Sequence, residues 1–257
     1  MIGPDDRGLL LGDGLFETLL AEGGRLRDEQ AHLDRLAAGC AALGLPEPDR
    51  AEAARRMHEA LSSAGLDGAR AAVRLTLTAG GGGRGLDRPD PLTPVMFATA
   101  APSPKPAGPV RLATASIRRN ETSAASQLKT LSYLDNVLAR REARAASADE
   151  ALMLNTRGEL ACAAAANLFW IAGERLFTPA LDCGVLPGIT RARVIAVARS
   201  AGVPLDEVAT GPDALAAADA VFVTNSLVRL RRVESLDGRP FGSDPLLGVL
   251  AAALDGG

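Results

Sequence analysis

Four prolines in the nine residues 101–109 constrain this fold more than any other local feature. Ala-Pro-Ser-Pro-Lys-Pro-Ala-Gly-Pro lacks the amides for a regular ladder and reads as a linker. It predicts a small N-terminal domain over 1–100 and a larger domain over 110–257.

Each side of the linker shows its own pattern. Before it, Leu-Phe-Glu-Thr-Leu-Leu-Ala at 15–21 reads as a strand. Helical spacing follows over 28–43, with Asp28 as N-cap, and over about 48–64. Alternation over 72–78 predicts a strand with Arg74, Thr76 and Thr78 on one face, and residues 94–100 form another. After the linker come a strand at 110–116 and a helix at about 131–147. Short strands at 150–154, 159–162, 166–171 and 175–178 precede a helix at 189–201. Strands at 220–224 and 228–234 and a helix at 244–254 complete the chain. Strands outnumber helices without alternating regularly with them, which predicts an α+β fold over a doubly wound sheet.

Composition narrows the function. Hydrophobic residues make up 47% and aromatics only 3%, so the core is built from Ala, Leu and Val. A net charge of −3 gives no general pull towards nucleic acid or anionic lipid. Three cysteines without a CxxC pair predict free thiols in a reducing compartment, and two histidines make no zinc pattern. No apolar run of membrane-spanning length and no signal peptide is apparent, so a soluble, cytoplasmic protein is expected.

Only two of the 28 basic residues are lysine, Lys105 and Lys129. Arginine stays protonated, whereas a desolvated lysine amine can lose its proton and attack a carbonyl. Lys105 lies in the linker. Lys129 lies in Gln-Leu-Lys-Thr-Leu-Ser-Tyr-Leu-Asp-Asn, beside the single tyrosine, Tyr133. Lys129 is therefore the candidate for Schiff-base chemistry; the alternative is a solvated surface lysine without a role.

Other motifs are weaker alone. Gly80, Gly82 and Gly85 spell G-x-G-x-x-G, but Pro89 and Pro91 forbid the helix a dinucleotide fingerprint needs. A flexible loop presenting Arg84 is the better reading. Gly188-Ile189-Thr190-Arg191 opens a helix whose amides suit a phosphate, although every helix has such an end. Asn167-Leu168-Phe169-Trp170 reads as core. Asn225-Ser226 closes an apolar strand, a position where loops often carry function.

In order, these segments resemble the class IV, or fold-type IV, pyridoxal-phosphate enzymes. The group includes branched-chain aminotransferases, D-amino-acid aminotransferases and 4-amino-4-deoxychorismate lyase. The similarity spans essentially the whole chain. Asp6-Arg7-Gly8 and Gly12-Asp13-Gly14-Leu15-Phe16-Glu17-Thr18 resemble the N-terminal signature. His32-Leu33-Asp34-Arg35-Leu36 resembles the helix whose arginine binds the cofactor phosphate, a role that falls on Arg35. Lys129 to Asn136 resembles the Schiff-base segment, with Lys129 carrying the cofactor and Tyr133 near the pyridine hydroxyl. Gly188, Ile189 and Thr190 match the phosphate-binding helix start, and Asn225 and Ser226 a second phosphate-side loop. The resemblance implies a small-molecule amine substrate, a homodimer, and a cofactor held between two domains. Arg84, Phe16 and Thr18 are the substrate-side candidates.

Within the group, Gly82-Gly83-Arg84-Gly85, Asn120, Ala165 to Trp170 and Asn225-Ser226-Leu227 resemble the lyase branch. The alternatives are an aminotransferase acting on branched-chain or D-amino acids, and a weakened homologue that binds the cofactor. Two departures stand out. The strand that normally precedes the Asp-Arg signature is missing, so a truncated sequence or a misassigned start is expected, with an exposed sheet edge. Position 162, where the resemblance places the carboxylate facing the pyridine nitrogen, holds Cys162. Glu159 would point to the opposite face of a strand, so it is not expected to substitute. A neutral thiol implies a weaker electron sink, which a lyase with an aromatic product tolerates better than a transaminase.

Overall fold

A computed structural model describes residues 2–256. The chain divides into two compact units. One runs to Lys105 and adds Leu128–Ser132; the other holds Pro106–Gln127 and the residues from Tyr133 onward. This departs from the expected division. Ala101 and Pro102 belong to a strand of the first unit, and the Lys129 segment is part of that unit although it lies beyond the linker.

In the first unit, α1 (Arg7–Leu11) precedes β1 (Gly14–Glu22), β2 (Arg25–Leu26), α2 (Glu29–Leu43), α3 (Arg50–Ser63), β3 (Ala71–Thr78) and β4 (Val95–Pro102). Among the described residues the four strands form one antiparallel sheet in the order β2-β1-β3-β4. Period-two alternation sends Leu15, Leu19 and Ala21 to one face, where they join Leu33, Leu36, Met57 and Leu61 of the helices in a core. Each large side chain buried there contributes about 1.5–3 kcal/mol. Phe16 and Thr18 take the other face, with Arg74 and Thr76 opposite them on β3. Asp28 occupies the N-cap of α2 but at φ 55°, and its side chain makes no capping bond; the expected cap is absent because the left-handed backbone turns it away from the helix amides.

β2 pairs with β1 only at Ala21 and Glu22. The Lys129 segment pairs with the other end of the same edge. The amide of Phe16 donates to the carbonyl of Lys129 at 2.9 Å, and the amide of Leu131 donates to the carbonyl of Gly14 at 3.0 Å. Leu15 and Thr130 form the antiparallel bridge between these bonds. Gly14 permits this close approach: a Cβ there would lie 2.9 Å from a methyl of Leu131.

The second unit contains β5 (Val110–Thr114), α4 (Ala124–Gln127), α5 (Leu134–Ala145), β6 (Glu150–Leu154), β7 (Leu160–Ala163), β8 (Ala166–Ala172), β9 (Arg175–Pro179), α6 (Ile189–Ser200), β10 (Leu205–Val208), β11 (Ala220–Asn225), β12 (Arg229–Leu236), β13 (Arg239–Pro240) and α7 (Pro245–Gly256). Its described strands run β10-β9-β8-β11-β12-β5-β6-β7, with β13 added beside β12 and a further β7–β8 pairing that closes the sheet on itself. Phe169 and Phe222 stack at 5.0 Å on the face covered by α6 and α7. The fold is α+β, as expected.

Candidate active-site residues

In the first unit the Lys129 amine stands over the Phe16 ring, 4.1 Å from its centroid, and the guanidinium carbon of Arg74 lies 3.6 Å from the same centroid. Strand pairing explains the placement, since Lys129 lies across from Phe16 and Thr18 is paired with Arg74. Lys129 is half-buried. Burial first, then the positive charge of Arg35, pulls its amine down to about 8; Glu17 opposes the shift and Arg74 adds to it. An amine near 8 is substantially neutral in mildly alkaline water.

On the other face of β1, Glu17 is 1% exposed. Its carboxylate accepts from Arg35 Nε at 2.8 Å and Nη2 at 2.6 Å, and His32 Nδ1 lies 2.7 Å away. Burial alone raises the Glu17 carboxyl, but the bonds from Arg35 and His32 outweigh it and hold the carboxyl below its ordinary value. Arg35 therefore meets any anion with two nitrogens already on Glu17. Sequence reasoning missed Glu17 and His32 as a buried pair. The signal was present in alternation, which turns Glu17 into the helix-covered face.

The Arg84 loop is not the flexible segment expected. Buried Arg7 donates to the carbonyls of Asp87 at 3.0 Å, Leu86 at 2.9 Å and Gly85 at 3.3 Å. Its Nε pairs with Asp13 at 2.9 Å, and Arg88 Nη2 reaches the same carboxylate at 2.6 Å. Arg84 and Asp87 form a two-way backbone bridge, and the Arg84 side chain projects into solvent.

In the second unit several expected residues meet at one end of β8. Cys162 and Thr224 flank Asn167 in register, from β7 and β11. Asn167 Nδ2 donates to the carbonyl of Leu186 at 3.0 Å, which ties it to the segment leading into α6. Gly188 is the N-cap of α6 with no side-chain capping bond, and a Cβ there would lie 2.0 Å from Asn167 Oδ1. Ile189 and Thr190 form the first turn. Asn225 Nδ2 donates to the Ala165 carbonyl at 2.9 Å, while its Oδ1 accepts from the amides of Leu227 and Val228, shaping the turn that carries Ser226. Tyr133 is the half-buried N-cap of α5. Asn120, noted in the sequence, turns on its own loop and accepts from Thr122; buried Arg119 beside it donates to Asn136 and the Gly184 carbonyl.

This arrangement fits a phosphate. The start of α6 has no side-chain cap, and Gly188 lets its backbone lie against Asn167, whose Oδ1 a Cβ would meet at 2.0 Å. Thr224, fully buried and opposite Asn167, has an Oγ1 without a hydrogen-bond partner among the described residues. Cys162 is buried. Burial pushes its thiol up, Arg119 opposes this and Glu150 reinforces it, so the group facing this end of the sheet is neutral. Glu159 directs its carboxylate to Asn155 and Arg157 in the turn before β7. Among the described residues no helix is long and apolar enough to cross a membrane, and no group of three or more His, Cys, Asp or Glu is placed to hold a metal ion.

A buried lysine amine in one unit and an uncapped helix start in the other, on an α+β fold, are features suited to carbonyl–amine chemistry. The chain belongs to the amino-transferase class IV family, whose model matches residues 14–236. It is thus a pyridoxal-phosphate-dependent enzyme. It is 33% identical over 91% of its length to a putative branched-chain-amino-acid aminotransferase of Methanocaldococcus jannaschii, covering 82% of that protein. It is 29% identical over 95% of its length to the aminodeoxychorismate lyase of Bacillus subtilis, covering 84% of it. The crystal structure of a putative 4-amino-4-deoxychorismate lyase from Legionella pneumophila superposes with a TM-score of 0.92 at 31% identity, covering 100% of this chain and 95% of that one.

Proposed function

We propose that this enzyme is an aminodeoxychorismate lyase, releasing pyruvate from 4-amino-4-deoxychorismate to leave 4-aminobenzoate. The observation that carries this reading is the buried, neutral thiol of Cys162 at the position where the family resemblance puts a carboxylate. When bound, pyridoxal phosphate supplies an electron sink for the bond broken at the amine-bearing carbon. A neutral neighbour leaves that sink weak. A reaction whose product becomes aromatic demands less of it than amino transfer, which must hold the carbanion for reprotonation elsewhere. The similarity to the two lyases supports the same reading.

The roles follow from the residues. Lys129 holds the cofactor through its amine and afterwards moves the proton at the amine-bearing carbon, a task suited to a group near 8. The amides of Ile189 and Thr190, the Thr190 hydroxyl and Ser226 would bind phosphate, with Gly188 letting the helix start lie against Asn167 and Arg35 adding charge. Tyr133 would face the pyridine hydroxyl and Cys162 the ring nitrogen of the bound cofactor. Asn225 takes the substrate side, with Phe16 and Thr18 lining it, and Arg84 would meet substrate only by turning in from solvent. The active form is a homodimer.

The second reading, an aminotransferase on branched-chain or D-amino acids, is favoured by the 33% identity to the archaeal protein. One experiment separates the two: pyruvate release from aminodeoxychorismate measured beside keto-acid formation from an amino-acid panel, for the wild type and Cys162→Glu. Pyruvate release by the wild type, with Cys162→Glu gaining transamination and keeping lyase turnover, supports the lyase. Absence of pyruvate release in both proteins sinks it.

A further inference from the structure

We infer that Arg74 is a positioning residue for the chemistry of Lys129: it shares the Phe16 ring with the amine and sets a second positive charge against it. This rests on Lys129 being the reactive amine and goes beyond the choice between lyase and aminotransferase.

The geometry is specific. Arg74 leaves β3 on the face shared with Phe16 and Thr18, and its guanidinium carbon lies 3.6 Å from the Phe16 centroid. Lys129 Nζ lies 4.1 Å from that centroid. Two cations anchored to one ring are separated by less than about 8 Å, a range at which like charges still repel through a partly desolvated environment. The ring holds both side chains by its quadrupole, so the repulsion is built in. Neither cation can relieve it by swinging away without losing the aromatic contact.

Three charged groups act on the amine. Glu17 of β1 and Arg35 of α2 belong to one ion pair, and their effects on Lys129 oppose each other. Arg74, from β3, adds to burial and to Arg35 as the smallest of the three in favouring the neutral amine. A neutral amine is the form that attacks a carbonyl and the form that accepts a proton. Arg74 is exposed, so its replacement leaves the sheet's buried face intact.

The scarcity of lysine makes a direct test possible in the cofactor-free protein. Lys105 and Lys129 are the only lysines, and Lys105 is exposed. Trace acetylation by acetic anhydride, read lysine by lysine by mass spectrometry across pH ~6 to ~10, gives the pH of half-maximal labelling for Lys129 with Lys105 as internal reference. In Arg74→Gln that midpoint should rise by about 0.3 unit, and labelling of Lys129 at pH ~7 relative to Lys105 should fall about twofold. Arg74→Lys, which keeps the charge, should stay close to wild type. Arg74→Met serves as a second neutral variant should Arg74→Gln not fold. An unchanged midpoint in the neutral variant overturns the proposal; so does an equal rise in Arg74→Lys, which would mark a purely steric role. No cofactor or substrate enters the assay, so failure of the lyase reading leaves this result separately legible.

Discussion

The amide of Phe16 donates to the carbonyl of Lys129 at 2.9 Å, although 113 residues separate them. This bond sets Lys129 across from Phe16 on the edge of β1 and puts its amine over the Phe16 ring. Lys129→Ala should abolish both the absorbance band near the visible edge on cofactor addition and the borohydride-trapped adduct. Turnover should fall by at least about a thousandfold, the scale of losing both the anchoring amine and the general base. A trapped adduct that persists at Lys105 would refute the assignment.

The same amine predicts a pH dependence. Its folded value near 8 lies below the ordinary 10.5, so the unfolded chain binds more protons between those values. Stability from this group therefore rises as pH increases from about 8 to about 10.5, and its burial costs most below 8. Lys129→Met should raise the melting temperature at pH ~7 and raise it less at pH ~10. Calorimetry at the two values checks the sign.

Glu17→Gln removes the carboxylate on which Arg35 and His32 converge. Leaving Arg35 and His32 beside a neutral amide at a fully buried site should cost about 3–5 kcal/mol in denaturant unfolding. The Glu17 carboxyl is held below its ordinary value, so its contribution is present above about 4.5 and is lost as pH falls through its folded value. The wild type should lose stability more steeply in acid than the variant, measured by urea midpoints across that window.

Gly188→Ala places a methyl group on Asn167 Oδ1. Cofactor affinity should fall at least about tenfold, because either Asn167 or the start of α6 must shift and the amides lose their aim. Equilibrium dialysis of pyridoxal phosphate reads this directly, and unchanged affinity would remove Gly188 from the site.

Arg7→Ala releases the carbonyls of Gly85, Leu86 and Asp87 and leaves Asp13 with Arg88 alone. Amide exchange across 84–87 should accelerate by about ten- to a hundredfold as the turn opens locally. Exchange that matches wild type would show the turn to be held by its own backbone bridge.

Much of this was legible in the chain. Strands at 15–21, 72–78 and 150–154 and helices at 28–43 and 189–201 were readable because burial on one face imposes a period of 2 or 3.6 on neighbours in sequence. Elements too short to repeat a period, such as α1, β2 and β10, left no such trace. Lys129 stood out because arginine fills nearly every other cationic position, and Gly188 stood out as a glycine at a helix start. Tertiary structure alone decided how these residues are used. β2 covers one end of an edge of β1, and the Lys129 segment takes the other end. The clamp of Arg7 on a loop about 80 residues away, the burial of Glu17 against Arg35, and the ring shared by Arg74 and Lys129 follow from that assembly. Local pattern records which face of an element is buried; which edge, ring or carboxylate it meets depends on segments far apart in the chain, and no local period encodes them.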